Sequence, residues 1–143
     1  MTDLQKEILS RFSDKQTIEL ATCDGLQPRI RPMTLIFFRQ RFFIATGSTD
    51  AKAKQIQENP LSEILYILHT ETNSGYVRLA GPLKMVTDQI LRKEVADFSG
   101  FIYDYWDNSE NPSFLLLEMI PEEAQLMHPG DMNAHNIIWE TIC

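Results

Sequence analysis

Apolar residues recur at helical spacing over the first segment of the chain and at strand spacing over most of the rest. Leu4, Ile8, Leu9 and Phe12 fall on one helical face, so residues 3–13 read as a short amphipathic helix that covers a sheet. β-Formers fill 17–22, Asp24-Gly25 is hairpin-turn chemistry, and 29–38 resumes as a strand. A second turn at Arg39-Gln40 leads into a strand at 41–46, completing a three-stranded meander. Gly47-Ser48-Thr49-Asp50 is loop and cap sequence ahead of a helix over 51–58, which Asn59-Pro60 stops. Strands follow at 62–69 and 76–86, joined by the turn-like polar cluster 71–75. Thr87-Asp88 caps a helix with Ile90, Leu91, Val95 and Phe98 at its apolar positions. Residues 101–111 form an aromatic loop, 113–120 a strand and 123–128 another. The pattern predicts an α+β domain: a mostly antiparallel barrel, closed or partly closed, of about six to eight strands with a few short flanking helices.

Composition narrows this to one globular unit. At 143 residues, 43% hydrophobic and 23% charged, the chain can bury one sizeable core, so 1–143 reads as a single domain. Its longest apolar runs fall far short of the roughly 20 residues a membrane span requires. The polar, acidic start Met1-Thr2-Asp3-Leu4-Gln5-Lys6-Glu7 lacks the pattern of a secretory signal, so a cytoplasmic protein is expected. Cys23 and Cys143 are the only cysteines and are expected as free thiols, outside any disulfide framework or CxxC site. A net charge of -7 argues against a general nucleic-acid binder, while leaving room for local basic clusters that hold one small anion.

The chain carries no GxGxxG, Walker loop, HExxH or GxSxG. His69, His128 and His135 lie in separate predicted elements with no companion cysteine, so no metal site is assigned and satisfied or exposed histidines are expected. The informative stretches are Arg29-Ile30-Arg31-Pro32-Met33-Thr34 and Ala45 through Ile56. A helix that begins at Ala51 presents unpaired N–H groups and a positive dipole end, a natural seat for a phosphate, and Lys52 lies in its first turn. If Arg31 faces that helix start, the two cations form a clamp; otherwise Arg29, Arg31, Lys52 and Lys54 are a solvated charged surface.

From Pro28 to Gly81 the chain resembles the pyridoxamine 5′-phosphate oxidase-like flavoproteins, FMN-binding split β-barrels. The resemblance rests on Pro28-x-x-Arg31, Ala45-Thr46, Lys52-x-x-Gln55-Ile56 with Asn59-Pro60, and Tyr76-Val77-Arg78-x-x-Gly81-Pro82, in that order. It implies that Arg31 and Lys52 hold the FMN phosphate with Thr46 beside it. Pro32, Met33 and Thr34 would supply backbone contacts to the isoalloxazine ring. It further implies a homodimer with flavin at the interface, closed by aromatics such as Trp106, and an oxidoreductase acting on an unidentified small molecule.

The chain departs from the oxidase itself at several positions. Asp50-Ala51-Lys52 stands for a Ser-Arg-Lys phosphate loop, Tyr76 for a flavin-contacting glutamine, and Ile36 for a substrate-phosphate lysine. The C-terminal Arg-x-His motif is missing. True pyridoxine-phosphate oxidase activity is therefore not expected. The alternatives are a non-enzymatic flavin or haem binder, with His69, His128 or His135 as iron ligand, and a nitro-compound reductase.

Overall fold

A computed structural model describes residues 1–47 and 51–141, with the side chains of Ala51 and Lys52 outside that description. Helix α1 (Asp3–Ser10) starts where the Thr2 hydroxyl accepts the Gln5 N–H, and buries Ile8 and Leu9 on one face. Eight strands follow: β1 (Lys15–Asp24), β2 (Gln27–Phe38), β3 (Arg41–Gly47), β4 (Leu61–His69), β5 (Ser74–Met85), β6 (Phe114–Met119), β7 (Glu123–Met127) and β8 (His135–Ile138). Helix α2 (Ala51–Glu58) separates β3 from β4, and α3 (Gln89–Ser99) separates β5 from β6.

All pairings are antiparallel, in the order β4-β1-β2-β3-β6-β5, and β4 pairs again with β5. Those six strands therefore close into a barrel. β7 and β8 extend the sheet outward from β5. No helix among the described residues is long and apolar enough to cross a membrane.

Strand alternation divides the apolar residues between two cores. Leu35, Phe42, Ile44, Leu115 and Leu117 point into the barrel with Leu20, Ile64, Leu79 and Leu126, capped by Ile8 and Phe12 at one place and by Ala53 and Ile56 of α2 at another. Their neighbours Ile36, Phe43, Phe114 and Leu116 point outward and pack against Val95 and Ala96 of α3 and against Ile102. β6 is consequently buried along its whole length, Glu118 included. Arg41 meets that carboxylate through two hydrogen bonds of 2.8 and 2.7 Å, a forked pair that fixes both charges at the barrel's end.

Several boundaries differ from the sequence expectation. The first helix stops at Ser10. In the first hairpin Asp24 pairs with Gln27, so Gly25-Leu26 forms the two-residue loop and Gly25 takes the left-handed φ of 61°. Part of the expected 71–75 turn belongs to β5, which begins at Ser74. β8 was not foreseen, because its residues are mostly exposed and carry no alternation. Cys23 is a free thiol; Cys143 and the Ser48–Asp50 cap sequence lie outside the described residues.

Candidate functional site

The pairing of β2 with β3 covers only Ile36 to Phe38 against Phe43 to Arg41. Upstream of Ile36 the two strands separate while β2 stays paired with β1, which splits the barrel wall beside Thr34. The Phe37 N–H donates to Asp14 O on the β1 side at 2.9 Å. By alternation along an antiparallel strand, the amide and carbonyl of Thr34 and the carbonyl of Pro32 turn toward the gap.

This gap is a cleft of about 260 Å³ lined by Pro32, Met33, Thr34, Ala45, Phe101, Tyr105 and Trp106. The strand supplies one wall; the segment after α3 supplies an aromatic one. Trp106 is half-buried, its ring 5.1 Å from that of Phe114 and 5.8 Å from that of Tyr105. The segment is held by Arg92 of α3, only 7% exposed. Its guanidinium donates to the carbonyls of Ser109, Val86 and Phe114 at 3.2, 3.4 and 2.8 Å and lies over the Phe114 ring. The Gly100 φ of 74° ends α3 and turns the chain into the aromatic segment.

Arg31 projects by alternation to the barrel side of β2. Its guanidinium donates to Leu20 O at 3.0 Å, Arg29 O at 3.2 Å and the Thr22 hydroxyl at 2.7 Å. Burial pushes its pKa down from the usual arginine value, and the group stays a cation. The three bonds fix its orientation, and they do not exhaust its five N–H donors. Thr46 is buried near the end of β3, opposite Leu115. The Lys52 side chain, and with it the expected clamp partner, lies outside the described residues.

Tyr76 stands elsewhere. Its hydroxyl donates to Gln125 Oε1 at 2.6 Å, and Gln125 donates to Asn136 at 2.8 Å, on the sheet extension of β5, β7 and β8. β5 lies across the barrel from β2, so one chain does not bring Tyr76 to the cleft. Ile36, where the oxidase pattern has a lysine, is fully buried beneath α3. Tyr105, like Trp106, belongs to the aromatic loop expected to line a pocket over the flavin, whereas Phe101 and Arg92 were not singled out as binding residues. The available signal for Arg92 was its helical register with Val95, Ala96 and Ser99, the face that α3 buries.

A profile of the pyridoxamine 5′-phosphate oxidase family matches residues 4–128. General stress protein 26 of Bacillus subtilis (strain 168) is 26% identical over 130 residues, covering 90% of this chain and 91% of that protein. Among solved structures, a haem-binding protein from Mycobacterium smegmatis superposes with a TM-score of 0.77 at 12% identity, over 96% of this chain and 59% of the other. A FAD-binding protein from Mesorhizobium loti superposes with a TM-score of 0.66 at 14% identity, over 87% and 90%. The structural likenesses establish a shared fold.

Proposed function

The chain belongs to the pyridoxamine 5′-phosphate oxidase family, and from that premise we propose that it is an FMN-binding oxidoreductase acting on a small molecule. The observation that carries this reading is the split between β2 and β3. It turns the Thr34 amide, the Thr34 carbonyl and the Pro32 carbonyl toward a cleft whose opposite wall is aromatic. A flat heterocycle with alternating ring carbonyls and N–H groups needs both features: backbone partners along one edge and apolar faces to leave water. Bound there, a flavin would supply the electron transfer; the protein's part is binding and electrostatics. Backbone groups of residues 32–34 orient the ring, Trp106 and Tyr105 exclude solvent, and Arg31 with Lys52 neutralises the phosphate. No side chain is required as acid or base.

The proposal includes a homodimer. Tyr76, across the barrel, reaches a flavin only from a second copy, and the face bearing Ala21, Cys23, Pro28, Leu61 and Ala80 forms a broad groove. Ile30 and Leu61 are 69% and 61% exposed there, apolar surface that a second copy would cover. Light scattering coupled to size exclusion is expected to give twice the 16.5 kDa chain mass.

Absorbance of the protein purified without added cofactor, then titration with FMN and mass identification of what is released, tests the cofactor. Two near-visible bands and released FMN support it. A colourless protein that ignores FMN at high micromolar concentration removes it. Arg31→Ala is expected to weaken FMN binding about 10- to 100-fold, the effect of losing one charge-assisted phosphate contact. Unchanged affinity in that variant would take Arg31 out of the phosphate site. A Soret band would instead favour the haem-binding alternative. Among the described residues none of the three histidines lines this cleft, so haem would have to sit elsewhere. Oxidation of a reduced nicotinamide by the loaded protein separates an enzyme from a flavin store.

A further inference from the structure

We propose that the turn between β7 and β8 is a binding site for a divalent transition-metal ion of the zinc class, with His128, Asp131 and His135 as ligands and Glu7 of α1 as the carboxylate that orients His128. One ligand atom from each of the three residues lies within 4.8 Å of the others. The two imidazoles meet edge to face, their centroids 5.9 Å apart. A tetrahedral zinc ion with bonds near 2.1 Å separates its ligands by roughly 3.3 Å, so small side-chain rotations close the set. Two imidazole nitrogens and one carboxylate oxygen suit zinc, cobalt, nickel or copper better than calcium or magnesium, which prefer all-oxygen shells. Three protein ligands leave the fourth position to water.

The backbone builds this arrangement. His128 O accepts the Asp131 N–H at 3.0 Å across Pro129-Gly130, and Gly130 takes a φ of 84°, the residue order of a type II turn. Asp131 Oδ1 is engaged by the Asn133 N–H at 3.0 Å, while Oδ2 lies 3.7 Å from His135 Nε2. Pairing of Leu126 with His135 returns the chain beside β7. Underneath, the loop rests on Gly75, where a Cβ would sit 2.8 Å from the His128 carbonyl carbon, so the turn is seated on β5. Glu7 Oε2 lies 2.6 Å from His128 Nε2. A carboxylate that holds one ring nitrogen as N–H leaves the other with its lone pair, the arrangement of a carboxylate–histidine–metal triad. All three ligands remain partly exposed, so an ion has a path in.

Such an ion would tie α1 to the sheet extension through Glu7 and lies apart from the flavin cleft. The test uses the full chain without a polyhistidine tag, stripped with a chelator and then titrated with Zn²⁺ by calorimetry and with Co²⁺ by visible absorption. One equivalent of Zn²⁺, a raised Tm and the intense bands of four-coordinate Co²⁺ are expected. His135→Ala, at an exposed position, should abolish stoichiometric binding, as should Asp131→Asn, both with unchanged far-ultraviolet circular dichroism. Glu7→Gln should weaken binding about 10- to 100-fold at unchanged stoichiometry. Absence of saturable binding, or equal affinity in the wild type, His135→Ala and Asp131→Asn, overturns the site.

Discussion

Gly81→Ala is expected to destabilise the protein by about 3 kcal/mol or more and to yield largely unfolded or aggregated chain. A Cβ there would lie 2.0 Å from Ile120 O and 3.1 Å from the Glu122 N–H nitrogen. Both are backbone atoms, so no side chain can rotate away. They are also fixed in place: Ile120 N–H donates to Pro82 O at 3.0 Å and Glu122 N–H to Ala80 O at 2.8 Å, one on each side of Gly81. This is where β5 stops pairing with β7 and begins pairing with β6, and the crossing segment must lie directly on β5. Chemical denaturation checks the magnitude. Gly25→Ala is the control, since nothing lies within 4 Å of its Cβ position and only the left-handed φ opposes it, at about 1 kcal/mol. Comparable losses in the two variants would refute the steric account.

Arg92→Met should lower stability by about 3 kcal/mol, roughly 10 °C in Tm, and release bound flavin as well. The guanidinium is buried yet meets no carboxylate among the described residues; its partners are three backbone carbonyls drawn from the ends of β5 and β6 and from the 109 region. Burial pushes its pKa down, but an arginine remains charged at any physiological pH. Methionine can fill the aliphatic volume and leaves those carbonyls without a donor, which costs more than the hydrogen bonds were worth. Because Ser109 and Phe114 flank the segment bearing Tyr105 and Trp106, the aromatic wall of the cleft should loosen with it. Thermal melting and Trp fluorescence of the loaded protein check both effects. A destabilised variant that retains flavin at wild-type affinity would separate Arg92 from the site.

The barrel was largely legible because its strands obey simple local rules. Alternation between two cores, as in Leu35-Ile36 and Leu116-Leu117, makes continuous apolar runs that read as strands from sequence. Asp88 caps α3 as its side chain and position suggest. The strand contributing Pro32, Met33 and Thr34 to the cleft was also readable, through the resemblance. β8 was not, since a strand exposed along most of its length leaves no periodic signal. That omission hid a second fact: His128 and His135 were assigned to separate elements, whereas the hairpin places their rings side by side. The placement of Tyr76 across the barrel from β2 depends on strand order, a long-range property no local pattern encodes. Arg31 read equally as clamp or surface, and its bonds to the Thr22 hydroxyl and the Leu20 carbonyl on the neighbouring strand are contacts no local pattern encodes.

The two-sided burial of β6 also bears on how the chain reaches this state. Ile44 finds its partner Leu117 only after α2, the β4–β5 hairpin and α3 have been made. During synthesis the β1–β2–β3 meander and the β4–β5 hairpin can form from near neighbours, while β3 presents an unpaired, strongly apolar edge until β6 emerges. Closing so long a loop is slow, and an open edge in the interval invites pairing with another copy. Synthesis rate, and the chaperones that shield such an edge, should therefore govern the yield of folded protein more than its final stability does.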